Sequence, residues 1–170
     1  TVRKRIIGGL KKTDLLIVLG GPELHKSGEL QSLIDSSGEL VIRGARIKPG
    51  EGFLFGFMRK KPVFVLPGDS AGALAGFEVF VRPALLQWLG ARDLFRLPVG
   101  ALLQESIADA RGVSKFIRAF TWVESRSFYT IPSGQSGPAY HHALARANSL
   151  IVLEEDVDKK DIGDEVDVLL

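Results

Sequence analysis

What this sequence lacks already excludes several classes of protein. It contains no cysteine, so disulfide bonds and thiolate metal sites are excluded. It has no signal-peptide pattern and no apolar run near the ~20 residues that a membrane-spanning helix requires. Its basic residues stand in twos and threes, without the aromatic motif of RNA-binding domains. We therefore expect no membrane or nucleic-acid partner, and we expect a cytoplasmic location.

What is present is the balance of a globular protein. The 170 residues are 45% apolar and 25% charged, enough for one ordinary domain or two small ones. Residues 1–92 carry 14 Lys and Arg against 8 Asp and Glu, whereas residues 154–170 carry 2 against 8. The basic first half favours an anionic small ligand or an acidic partner surface. The acidic end alternates with valine and isoleucine, which predicts a final strand and turn.

The stretch around Pro67-Gly68 predicts a strand, a turn and a helix in succession. Val63–Leu66 is a continuous apolar run, typical of a strand buried on both faces. Asp69 or Ser70 then offers a helix N-cap oxygen, and the helical spacing of apolar residues continues to Gly90. In α/β proteins such a junction binds anionic ligands, because unpaired amides point outward there. An ordinary strand-to-helix connection without a ligand fits the same pattern, so both interpretations stay open at this point.

The rest of the first half mixes helices with strands, which indicates an α/β domain. Leu15–Leu19 is predicted to be a second strand buried on both faces, ended by Gly20-Gly21. A parallel sheet usually starts with a strand before its first helix, and none precedes Val2. We therefore expect the domain to lack its first strand and the chain, which does not begin with methionine, to be part of a longer protein. The other predicted elements are helices at Val2–Leu10 and Glu29–Asp35 and strands at Glu39–Ile47 and Phe53–Met58.

After Gly90 the pattern changes to short strands separated by turn residues. Such a series predicts a small β-barrel or sandwich, with the domain boundary near residues 90–97. Ala139–Ala147 is the single stretch there with helical spacing, and both Trp88 and Trp122 are expected in the core. The predicted strands are Pro98–Ile107, Val113–Val123, Ser127–Ile131, Leu150–Leu153 and Glu165–Leu170.

Seven stretches taken together point to a family. They are Thr13–Gly21, Ile47–Gly50, Leu66–Ser70, Phe77–Leu85, Phe116–Ala119, Gly134–Gly137 and Leu144–Leu153. In order and spacing they resemble the molybdenum-insertion family, which contains bacterial molybdopterin molybdenumtransferase (MoeA) and the gephyrin E domain. The likeness covers nearly the whole chain.

The resemblance implies a fold and a function. Residues 1–91 would form a truncated, molybdopterin-binding (MogA-like) three-layer α/β domain lacking its first strand, and residues 92–170 a small C-terminal β-barrel. Family members are transferases of molybdenum cofactor biosynthesis. They insert molybdate into adenylylated molybdopterin with a divalent cation, here expected to be Mg²⁺, and they work as homodimers. Molybdopterin as substrate, molybdate and Mg²⁺ are thus the implied ligands, and the implied partners are the anionic pterin and, in the full-length protein, a second copy.

The resemblance also implies a ligand site without naming catalytic residues or metal ligands. The strand ends after Leu19 and Leu66 are expected to face one hollow made for a pterin phosphate. Glu23, Glu51 and Asp69 are candidate cation ligands, but we interpret them as unrelated surface carboxylates. The implied cofactor-binding residues are Gly20, Gly21, Lys48, Pro49, Gly50, Pro67, Gly68, Asp69 and Ser70.

Three of these motifs depart from the family pattern. A Val-Ser-x-Gly loop is replaced by residues 22–28, and the second lysine of Lys-Pro-Gly-Lys-Pro by Glu51. The asparagine of Leu-Pro-Gly-Asn-Pro is replaced by Asp69, which as an N-cap would occupy amides otherwise open to phosphate. Because each change removes a donor or adds a carboxylate, we do not expect turnover from this chain alone. The alternative is a divergent, non-catalytic binding or interaction module that keeps the fold; a third, weaker idea is a barrel that docks peptides, as gephyrin does.

Overall fold

The computed structural model describes residues 2–20, 28–108, 112–133 and 146–170. Contacts between residues divide the chain into two compact units. The first comprises Thr1–Ala45 and Gly50–Leu85, and the second comprises Arg46–Pro49 and Leu86–Leu170. Within the described ranges, no helix has both the length and the apolar character needed to cross a bilayer.

The first unit is a four-stranded sheet with helices packed on it, as the α/β pattern predicts. Its strand order is β1-β5-β4-β2, in which β1 and β5 are parallel and the other neighbours antiparallel. Up to residue 88 the elements are α1 (Val2–Leu10), β1 (Leu16–Gly20), α2 (Glu29–Ser37), β2 (Gly38–Arg43), β3 (Ile47–Lys48), β4 (Leu54–Met58), β5 (Lys61–Pro67), α3 (Ser70–Gly76), a π-helical turn (Phe77–Val81) and α4 (Arg82–Trp88).

Strand β5 lies inside this sheet and is buried on both faces, which confirms the prediction for Val63–Leu66. Val63 and Val65 pack with side chains of α1 and α2 on one face. Phe64 and Leu66 pack on the other face with a cluster that includes Phe53. Alternate residues of one strand thus contribute to two separate cores, which is why the run is continuously apolar.

Strand β1 is not buried on both faces, and that prediction is wrong. Leu19 is 62% exposed and Ile17 is 36% exposed, whereas Leu16 and Val18 pack on the α1 side. The reason is that β1 is an edge strand of the sheet. The helix α3, which follows β5, packs on β5 and leaves the same face of β1 exposed. A continuous apolar run does not report whether its strand has a helix on each side.

The helix after β5 continues through a π-helical turn. Pro83 has no N–H to donate and its ring would clash with a carbonyl one α-turn earlier. The wider turn Phe77–Val81 precedes it, and the N–H of Arg82 bonds the carbonyl of Phe77, five residues back. The helix ends at Trp88, which is 56% exposed, so its predicted place in the core is wrong.

The second unit is a β-barrel, one of the two architectures expected for this half. Its principal strands follow one another as β10-β12-β6-β9-β8, and β10 also pairs with β8, which closes the ring. Strand β3 pairs in parallel with the first two residues of β8, and β7 pairs with β11. The elements are β6 (Val99–Leu103), β7 (Ile107–Ala108), β8 (Ser114–Glu124), β9 (Ser127–Pro132), β10 (Ser149–Leu153), β11 (Lys159–Lys160) and β12 (Glu165–Leu169).

The interior of the barrel is apolar at its centre and hydrogen-bonded at one end. Its buried apolar side chains include Leu103, Ile151 and Val168. Thr121 Oγ1 donates to Thr130 Oγ1 at 2.9 Å, so these buried hydroxyls satisfy each other. The helix predicted at Ala139–Ala147 lies almost entirely outside the described residues.

Candidate functional site

The ends of strands β1 and β5 lie side by side at one edge of the first unit's sheet. Gly20 is the register partner of Pro67, and Leu19 is the partner of Leu66. Neighbouring strands are separated by roughly 4.8 Å, so the two chain turns begin about one strand spacing apart. The sequence predicted that these turns share an edge. Gly21, the next predicted site residue, lies outside the described residues.

The turn before β4 comes to the same edge. Because β4 runs antiparallel to β5, its first residue, Leu54, is paired with Val65 near the end of β5. Gly50, with a φ of 129°, adopts a conformation that side chains rarely permit, and its carbonyl accepts the N–H of Phe53 at 3.0 Å. The carbonyl of Glu51 accepts the N–H of Ala45 at 3.3 Å, which ties the turn to the chain after β2.

The helix that follows β5 begins with an occupied N-terminus. The N–H of Gly72 donates to Asp69 Oδ1 at 2.7 Å. Asp69 is therefore the N-cap, and it is one of the two residues predicted for that role. A side chain at Gly72 would meet the ring of Pro67 at 2.8 Å and Asp69 Oδ2 at 2.9 Å. Gly68 and Asp69 are exposed and Ser70 is half-buried. The turn is therefore open to solvent, but its capped amide already has a carboxylate partner.

Lys48 and Pro49 belong to the second unit. Strand β3 pairs with β8 through Ile47 with Ser114 and Lys48 with Lys115. Ile47 is buried and Lys48 is exposed, as expected for neighbours that point to opposite sides of a strand. The Lys-Pro-Gly motif is thus divided: Lys48 and Pro49 lie with the barrel strands, and Gly50 begins the turn of the first unit.

Among the described residues, the carboxylates at the sheet edge belong to no group of three metal ligands. Within residues 2–20, 28–108, 112–133 and 146–170, no three His, Asp or Glu side chains are close enough to hold a metal ion. Glu23 lies outside those ranges. Glu51 and Asp69 remain two single negative charges on turns of one sheet edge, where they disfavour a second anion.

Sequence reasoning missed the contacts that hold β3 to the barrel. Arg46 Nη2 lies 3.0 Å from Glu155 Oε2 and donates to the carbonyl of Gly112 at 2.9 Å. The three residues are far apart in sequence, and none belongs to a motif. No local pattern would have placed them together.

Both halves of the chain resemble known proteins. Residues 101–170 match the family model described as the MoeA C-terminal region (domain IV). This part of the chain resembles the C-terminal domain of the MoeA family. It is 28% identical to the molybdopterin molybdenumtransferase of Staphylococcus aureus strain COL, covering 95% of this chain and 39% of that protein. The corresponding figures for the molybdopterin molybdenumtransferase of Staphylococcus epidermidis are 29%, 95% and 39%.

A solved MoeA structure resembles the whole described architecture. The molybdopterin biosynthesis MoeA protein of Pyrococcus horikosii superposes with a TM-score of 0.83 at 26% identity, covering 99% of this chain and 40% of that one. The MoeA-family match therefore extends beyond the barrel to residues 1–100. These relatives work in molybdenum cofactor biosynthesis, and this chain spans about two fifths of their length.

Proposed function

We propose that this chain binds molybdopterin, or its adenylylated form, within a molybdate-insertion enzyme of molybdenum cofactor biosynthesis. The observation that carries the proposal is the common edge of Gly20, Pro67 and the turn after Gly50. Residues 1–91 would serve as the MogA-like molybdopterin-binding domain, and residues 92–170 as the C-terminal barrel domain. The full-length protein would act as a homodimer in the cytoplasm.

The proposed ligand residues of each unit have a defined part in this binding. Gly68 is exposed and lets an anionic group approach the backbone, whose N–H groups donate to phosphate oxygens. Gly20 and Gly50 are buried, so their part is to shape the turns at this edge. Lys48 supplies a positive charge on a flexible stem, which suits a phosphate or molybdate oxygen as a point contact. Molybdate is the inserted substrate. The described residues contain no group of three His, Asp or Glu side chains that could hold a metal ion. Mg²⁺ is usually bound by one or two carboxylates together with substrate phosphates and waters, so the Mg²⁺ implied by the resemblance would be held mainly by the ligand.

One observation favours the alternative of a non-catalytic binding or interaction module. Asp69 Oδ1 accepts the amide N–H of Gly72, so that donor is taken and a negative charge stands at the turn. Glu51 adds a second carboxylate where the family pattern has a lysine. Both changes weaken the hold on a phosphate without altering the fold, so binding would survive in a weaker form while turnover is lost.

Calorimetric titration of the 170-residue chain with molybdopterin tests the binding proposal. We expect one ligand per chain, and we expect Lys48→Ala to weaken binding by about tenfold, as for loss of a charge-assisted hydrogen bond. Lys4→Ala, which removes an exposed lysine on α1, is the matched control and should leave the affinity unchanged. Absence of heat at a concentration that saturates the Staphylococcus aureus relative would contradict the proposal.

A cell-based test separates the enzyme from the non-catalytic module. Cells that lack their own molybdenumtransferase receive the full-length gene from which this chain derives. Restored molybdenum-cofactor activity that depends on Lys48 supports the enzyme. Failure to restore it, combined with measurable molybdopterin binding, supports the module.

A further inference from the structure

Strand β3 is unusually short. It has two residues, fewer than the three to ten of ordinary strands, and it pairs with β8 alone. One backbone hydrogen bond, from Ser114 N–H to the Arg46 carbonyl at 3.1 Å, marks the start of this pairing. Strand pairing and the burial of Ile47 hold this segment, and further contacts add to them.

Arg46 supplies the additional hold through its side chain. Its Nη2 atom contacts Glu155 Oε2 at 3.0 Å and the Gly112 carbonyl at 2.9 Å. The N–H of Gly112 in turn donates to the Glu155 carbonyl at 2.8 Å. These contacts form a closed set, named here the Arg46 clamp, which joins the start of β3 to the segments before β8 and after β10.

We propose that Arg46 and Glu155 are positioning residues for Lys48: the Arg46 clamp fixes β3 on the barrel and so sets where the lysine ammonium can reach a ligand phosphate. This inference rests on the proposed function. A lysine acts as a point charge on a four-carbon stem, so the placement of its backbone decides which oxygen it reaches. Misplacement by about 1 Å is enough to cost up to roughly a hundredfold in a well-aligned site.

The clamp contributes little to the overall stability of the fold, so a role in positioning Lys48 can be tested separately from a role in folding. The side chains of Arg46 and Glu155 are 74% and 54% exposed, and ion pairs this exposed contribute little to folding. The chain contains a matched control in Arg43 and Asp35. That pair is also 3.0 Å apart, with exposures of 57% and 42%, but it joins β2 to α2.

The first measurement needs no ligand. Amide hydrogen exchange of residues 46–48 is compared in the 170-residue chain and in Arg46→Ala, Glu155→Ala and the control Arg43→Ala. We expect exchange to be about twofold to tenfold faster in the two clamp variants, in line with loss of an exposed pair and one hydrogen bond. Arg43→Ala should leave the segment unchanged, and the unfolding temperatures of all variants should stay close together.

The second measurement is calorimetric titration with molybdopterin. We expect Arg46→Ala and Glu155→Ala to weaken binding by about threefold to tenfold, and the charge swap Arg46→Glu with Glu155→Arg to restore most of it. Arg43→Ala should bind like the unaltered chain. A swap that restores the slow exchange of residues 46–48 but not the affinity would mean that Arg46 contacts the ligand itself, which overturns a positioning role.

The two measurements distinguish the possible failures. If the unaltered chain binds no molybdopterin, the proposed function falls, and the exchange data still decide whether the clamp holds β3. If residues 46–48 exchange at the same rate with and without the clamp, the positioning inference is overturned whatever the chain binds. If amide exchange becomes faster in the clamp variants but their affinity for molybdopterin is unchanged, the clamp holds β3 without positioning Lys48 for the ligand.

Discussion

The side chain of Asn148 forms two hydrogen bonds with the backbone of Thr121. The N–H of Thr121 donates to Asn148 Oδ1 at 2.8 Å, and Asn148 Nδ2 donates to the carbonyl of Thr121 at 2.8 Å. An amide side chain thus makes the pair of bonds that facing residues of antiparallel strands exchange. Because Ser149, the next residue, begins β10, Asn148 extends the pairing of β10 with β8 beyond the strand itself.

We expect Asn148→Ala to destabilise the barrel by about 1–3 kcal/mol, because a part-buried N–H and C=O of Thr121 lose their partners. Urea denaturation followed by circular dichroism measures the change. Gln104→Ala is the matched control, since its Nε2 makes only long contacts of 3.4 and 3.5 Å. Equal stability of the two variants would show that the Asn148 bonds contribute nothing.

The N-cap of α3 predicts separate effects on stability and on anion binding. Asp69→Asn keeps a good cap oxygen and removes the charge, so the free energy of unfolding should change by less than about 0.5 kcal/mol. Affinity for molybdopterin should rise by about threefold to tenfold as repulsion is removed. Glu39→Gln removes an equal charge from the start of β2, at the opposite edge of the sheet, and should leave the affinity as it was. Calorimetry measures each affinity; a weaker Asp69→Asn variant contradicts the repulsion.

Glu51 gives a separate electrostatic prediction. Glu51→Lys restores the residue type of the family pattern on the turn after Gly50 and should raise molybdopterin affinity by about tenfold at low salt. The gain should shrink toward 1 M salt, because exposed charges are then screened within about 3 Å. Titrations at two salt concentrations check this. A gain that is independent of salt would point to changed turn geometry instead of charge.

Two glycines in helices predict changes of opposite sign. Gly72→Ala brings a methyl group within 2.8 Å of the rigid Pro67 ring and 2.9 Å of Asp69, so we expect a loss of about 1–3 kcal/mol. Gly8→Ala in α1 meets nothing within 4 Å and should stabilise by roughly 0.5–1 kcal/mol through helix propensity. Thermal unfolding of both variants is the test. Stabilisation by Gly72→Ala would mean that the turn at Pro67 yields easily.

Local sequence pattern predicted the positions of helices and strands far better than their burial and the sheets that they join. Ser127–Ile131 is observed as Ser127–Pro132, because alternation and turn residues act over a few positions. The exposure of Leu19 escaped prediction because it depends on which strand is outermost, a property of the sheet order. The predicted strand Glu39–Ile47 is divided into β2 and β3, which join different units; one apolar alternation served two sheets. The common edge of Gly20 and Pro67 was predictable from parallel strands, whereas the Arg46 clamp was not.

Residues 46–49 belong to the second unit although the residues on both sides of them belong to the first, and this affects how chimeric genes must be designed. The backbone passes between the units at Ala45, at Pro49 and again at Leu85, so no single cut in the gene separates them. Exchanging barrels between relatives at the last junction alone would pair each new β8 with a foreign β3. Chimeras that also carry residues 46–49 from the barrel's donor should fold and bind as their parents do. Chimeras that lack this matching segment should be less stable or bind more weakly.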